Sequence, residues 1–86
     1  MRANALARSE QTSFPFTTTE AVHAAHRWFA DAKPSMTLAA WRDHLLALHL
    51  AGIRATDQRE CTARTNVWNQ AFCTGVAQAI SGAHHD

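Results

Sequence analysis

Eighty-six residues suffice for one domain and are too few for two, and with 47% hydrophobic and 17% charged residues the chain is neither disordered nor rich in core. A formal charge of +1 lacks the basic excess that neutralising nucleic-acid phosphates demands. No apolar run approaches the roughly 18 residues that a membrane-spanning helix needs, and Asn4 and Arg8 interrupt the opening Met1–Arg8 stretch before it reaches signal-peptide length. These features lead to the expectation of a soluble, cytosolic protein.

Residues 1–13 read as a mobile lead-in and 14–86 as a single helical domain, because Ser9, Gln11, Thr12 and Ser13 offer little to bury. Phe14-Pro15-Phe16 reads as an extended element able to lie across a hydrophobic groove. Thr17-Thr18-Thr19-Glu20 then has the spacing of a capping box and predicts a helix from about Thr18 to Ala32, with Val22, Ala25 and Phe29 on its core stripe. Lys33-Pro34-Ser35 ends it, since proline lacks the donor needed to continue a helix and disfavours helical geometry in the residue before it.

A second helix is expected from Ser35 or Thr37, either of which can act as N-cap, to Gly52. It carries two apolar stripes. Leu38, Trp41, Leu45 and Leu48 form one; Ala39, Leu46, Leu50 and Ile53 form another on a roughly opposite side. A surface helix needs only one such stripe, so something must cover the second: Phe14, Phe16 or the lead-in, or another molecule. In the latter case Leu46, Leu50 and Ile53 form the partner-binding face, with Arg42 and His49 as polar rim.

A third helix begins after Thr56 or Asp57 and ends at Ser81-Gly82. Its stripe is Cys61, Trp68, Phe72, Gly75, Val76 and Ala79, and Glu60 and Arg64 form a favourable i, i+4 pair. Gly75 in that stripe permits a close helix approach. Cys61 and Cys73, twelve residues apart, sit about 18 Å from each other along one helix and cannot form a disulfide there. Cys61 behaves as a small core residue; Cys73 falls off the stripe and is exposed.

The fold expected is therefore all-α: a small three-helix bundle in which Trp28, Trp41 and Trp68 meet with Phe29, Leu45, Leu48 and Phe72. His23 and His26, three apart, and His44, His49, His84 and His85 lack the tetrahedral ligand spacing of structural zinc, so no metal or other cofactor is expected. Glu20, Asp31, Asp43, Asp57 and Glu60 have structural reasons to sit at caps and polar faces, and a core this small offers little room for a pocket of about 300 Å³ or more. No catalytic residue is assigned.

These readings favour a cofactor-free interaction module that binds a protein partner or a second copy of itself. Its Arg-over-Lys and Ala bias suits an accessory or inhibitor protein of a bacterial phage or plasmid, of the anti-defence type for instance. The alternative is a helix-turn-helix-like DNA-binding regulator, with Arg54, Arg59 and Arg64 near phosphates and Asn66, Asn69 or Gln70 near bases. Asp57 and Glu60 among those arginines, and a third helix far longer than a recognition helix, weigh against it.

Overall fold

Pro15 starts the first helix. Its fixed φ is preorganised for a helix, and the N–H it lacks has no intrahelical partner at the first position anyway, so α1 runs Pro15–Ala30 with Phe14 at the N-cap. The Phe14-Pro15-Phe16 element expected to be extended is thus the helix entrance. Thr17, expected at the cap, is a helical residue, and the Thr17–Glu20 capping box does not form. Thr18 closes the entrance, its N–H and hydroxyl both donating to the Phe14 carbonyl, at 3.0 and 3.2 Å.

The computed structural model describes residues 14–31 and 35–83; the expected lead-in lies outside them. Beyond α1 come α2 (Leu38–Gly52) and α3 (Gln58–Ala83), with no strand among the described residues. Thr37 caps α2 by accepting from the Ala40 N–H at 3.1 Å. Gly52 is its last helical residue, but the left-handed position that closes the helix falls two residues later, on Arg54 with φ 56°. There the Arg54 N–H donates to Ala51 O and the Ala55 N–H to Leu50 O, the paired bonds of a Schellman motif. At the head of α3, the Asp57 carboxylate accepts from the Arg59 N–H at 3.3 Å and its carbonyl from the Cys61 N–H at 2.9 Å.

α1 and α3 form the tight pair. Their contact is made of small residues, Ala21, Ala24 and Ala25 against Ala71 and Gly75, with Val67, Trp68 and Phe72 buried beside them. Gly75 sets the separation: a Cβ built on it meets Ala25 Cβ at 2.8 Å and the Val22 carbonyl oxygen at 2.9 Å. The expected close approach is therefore present, and its wall is α1 backbone. On the outer side His26 pairs with Gln78 across the two helices at 3.1 Å.

α2 lies on this pair without a single buried residue. Two indole bonds seat it: Trp41 Nε1 donates to Ala24 O of α1 at 2.8 Å, and Trp68 Nε1 of α3 donates to Arg42 O at 3.1 Å. The three tryptophans do not share one cluster. Only Trp68 is buried; Trp41 packs against the core's edge, and Trp28 turns to the α1–α2 connection, donating to Met36 O at 3.0 Å. Phe29 and Leu48, expected in the core, are exposed.

The described molecule measures 39 × 32 × 17 Å along its principal axes. Two helix layers at the usual axis separation of about 8–10 Å fill the short dimension, so among the described residues no third layer covers the outer side of α2. No described helix is long and apolar enough to cross a membrane.

Candidate functional site

The two stripes of α2 are about 130° apart at 100° per residue, and the residues between them, Arg42 and His49, mark the underside. The helix rests on that underside and straddles the α1–α3 pair. Leu45 of one stripe and Leu46 of the other both pack against the core, neither stripe is enclosed, and both contribute to each flank, Ile53 joining Leu45 and Leu48 on one side and Leu38 joining Ala39 on the other. This is why a helix with two apolar faces needs no cover on its far side, and why none of its residues is fully buried.

On one flank α1 and α2 enclose an open cleft of about 400 Å³, larger than the small core led one to expect. Phe16, Leu45, Leu48 and Ile53 supply its apolar walls, with Trp68 at the back and Glu20, His23, Arg27 and His49 as polar groups. Phe16 and Leu48 are each 56% exposed at its mouth. The other flank is a shallower apolar groove between α2 and α3 that includes Leu38, Ala39, Arg42, Phe72, Cys73 and Val76.

Beneath the cleft is the one buried polar side chain among the described residues, Thr17. Its Oγ1 lies 2.7 Å from Arg64 Nη1 and 2.7 Å from His49 Nε2. A guanidinium only donates, so Thr17 accepts from Arg64 and has its one proton to give to His49. The arrangement that satisfies all three groups has the Thr17 hydroxyl donating to Nε2 of a neutral His49 whose own proton is on Nδ1. Arg64 is held in turn by Glu60 at 2.7 Å, and Phe14 lies over its guanidinium, 4.5 Å from charge to ring centre. The His49 ring lies between Phe16 and Trp68, with centroids 5.4 and 5.3 Å away. Burial, and then the Arg64 charge, push the His49 imidazole below the usual histidine range, against a smaller pull from Glu20.

A hydroxyl on an imidazole nitrogen has the geometry of a nucleophile and its base. Thr17, however, has no exposed surface and its oxygen already accepts from Arg64, so a substrate carbon cannot approach it. The pair is a structural tie among three helices. Among the described residues no three His, Cys, Asp or Glu side chains converge on a point that could hold a metal. Cys61 donates to Ala55 O at 3.4 Å, and Cys73 is a free, exposed thiol.

The five residues assigned to a partner face are dispersed by the fold. His49 and Ile53 line the cleft, Arg42 lines the opposite groove and pairs with Asp43 at 2.9 Å, Leu46 packs on the core, and Leu50 is half-buried beside it. Phe16 packs on His49 and lines the cleft with Ile53 of the second stripe, and Phe14 lies over Arg64. Of the arginines considered for phosphate contacts, Arg64 is committed to Glu60 and Thr17. From the sequence, Thr17 reads as a helix cap, Phe16 as part of an extended element and Arg64 as the partner of Glu60 or a phosphate contact; the pattern places none of the three at a shared site. A signal existed for Thr17: it precedes Ala21 and Ala24 by four and seven residues, on the small-residue stripe that α1 buries.

No family model, curated protein or solved structure matches this chain.

Proposed function

We propose that this protein is a cofactor-free interaction module that binds a protein partner or a second copy of itself through the open flanks of α2. One observation carries the reading: α2 and its C-cap, apolar at Leu38, Trp41, Leu45, Leu46, Leu48, Leu50 and Ile53, bury none of these side chains fully. Apolar surface left half in water is what association removes. The cleft flank is the better docking surface, because Phe16 and Leu48 stand at its mouth as large exposed anchors while Glu20, His23 and Arg27 provide a polar rim. An accessory or inhibitory role in a bacterial mobile element is the setting this proposal favours, on composition alone. The helix-turn-helix alternative gains nothing from an Arg64 tied down inside the fold.

The test compares one charge on each stripe. Leu48→Glu places a carboxylate at the cleft mouth, and Leu50→Glu places one on the other stripe. Light scattering reports self-association and capture from bacterial lysate reports a partner, with circular dichroism on the same samples. Leu48→Glu is expected to keep its helicity and lose association, while Leu50→Glu loses less. Association unchanged in both variants, or a wild-type chain that is monomeric and retains no partner, overturns the reading.

A further inference from the structure

We propose that His49 is a proton-operated latch: in its neutral form it accepts from the buried Thr17 hydroxyl and holds α2 on the α1–α3 pair, and on protonation it lets α2 lift away from Trp68. The latch acts on the seating of α2 and operates whatever binds on its flanks.

Donor and acceptor counts at Thr17 distinguish the two protonation states of His49. Thr17 Oγ1 has one proton and two lone pairs, and Arg64 Nη1 occupies one lone pair from 2.7 Å. Neutral His49 takes the proton through Nε2, also at 2.7 Å, and each partner is satisfied. Imidazolium has no lone pair to offer. It brings a second cation and a second donor to a hydroxyl already facing a guanidinium, and the Thr17 proton loses its acceptor in a site with no exposed surface. The pair spans 32 residues of sequence and ties α2 to α1; the other described side-chain bonds that seat α2 are the two indole bonds.

The charged and titratable groups that face His49 come from both neighbouring helices. α1 presents Glu20, His23 and Arg27 along the cleft, and α3 presents Arg64 with its partner Glu60. The other cleft-lining residues of α2 and its C-cap, Leu45, Leu48, Gly52 and Ile53, carry no charge. Glu20 alone favours imidazolium directly; Arg64 opposes it, as does burial between Phe16 and Trp68. Because the folded state holds the imidazole below its ordinary range, the unfolded or undocked state binds the proton first. The seating of α2 is complete above the ordinary histidine value of about 6.5 and weakens as pH falls below it toward the lower folded value.

The test follows the full chain from pH 7.5 to 5.0 by NMR, reading the His49 ring titration together with amide exchange in each helix, corrected for the intrinsic pH dependence of exchange. Protection of α2 amides is expected to fall at least tenfold relative to α1 and α3, with the same midpoint as the His49 ring. His49→Gln, which can still accept from Thr17 but cannot titrate, is expected to abolish the pH dependence. Glu20→Gln is expected to move the midpoint to lower pH, and it tests the latch even where His49→Gln does not fold. His23→Gln with His26→Gln is expected to leave the release in place. A His49 ring that titrates while α2 protection stays flat overturns the latch. So does a release that persists in His49→Gln, disappears in the His23/His26 variant or keeps its midpoint in Glu20→Gln.

Discussion

The α1–α3 pair and the α2 seat are joined in different ways. The pair is a steric fit of small side chains, with Gly75 against Val22 and Ala25, where the two backbones set the distance. The seat combines partial apolar packing of Leu38, Trp41, Leu45 and Leu46 on the core with directional bonds, Trp41 to Ala24 O, Trp68 to Arg42 O and Thr17 to His49, and its flanks are open to water. Close packing tolerates little change of volume, whereas directional bonds can exchange their partners for water when a helix shifts. The difference predicts two levels of opening: α2 exchanges and loosens below the free energy that separates α1 from α3.

Trp68 is the residue that belongs to both regions, so its removal gives the largest effect. Trp68→Ala is expected to destabilise the fold by about 3–5 kcal/mol in urea unfolding, the range for deleting a large buried aromatic. The side chain is 2% exposed and also supplies the bond to Arg42 O. A loss below about 0.5 kcal/mol, that of an ordinary surface change, would show that the core does not centre on it.

Gly75→Ala tests the steric pair alone. The added methyl meets α1 backbone that cannot rotate away, so the variant is expected to lose about 1–3 kcal/mol, as overpacked cores do. Gly82→Ala is its control, because a Cβ there meets nothing within 4 Å. Equal melting behaviour of the two variants would refute the close approach.

The smallest effect is expected from Trp41→Phe, which keeps an aromatic ring and removes the bond to Ala24 O. The cost is about 1 kcal/mol, the net value of one such hydrogen bond. Amide exchange should place that loss in α2, with α1 and α3 protected as before. Uniform loosening of all three helices would mean that seat and pair open together, and the contrast between them would fail.

Much of this fold is legible in local sequence. The Thr37 cap, the Asp57 start, the Glu60–Arg64 pair, the exposed Cys73 and the close approach at Gly75 each depend on neighbours within a few turns or on one face of one helix. The entrance of α1 departs from expectation because two local rules compete there. Thr17 with Glu20 satisfies the spacing of a capping box, but Pro15 preorganises the chain two residues earlier, and a helix begun at Pro15 carries Thr17 into its buried face.

The cleft and its polar centre were not legible. The contacts that make them, Thr17 with His49 and Thr17 with Arg64, join residues 32 and 47 apart, beyond any window of periodicity. By itself the sequence determined three helices, their approximate ends and which residues share a stripe, because hydrogen-bonding geometry fixes 100° per residue wherever the helix is placed. Only the tertiary structure decided how α2 is rolled about its axis. A periodic pattern gives the angle between two stripes but no absolute azimuth. That azimuth is the one at which Leu38, Trp41, Leu45 and Leu46 meet the core while two indole N–H groups and one buried hydroxyl find partners, and it puts His49, between the stripes, against Thr17.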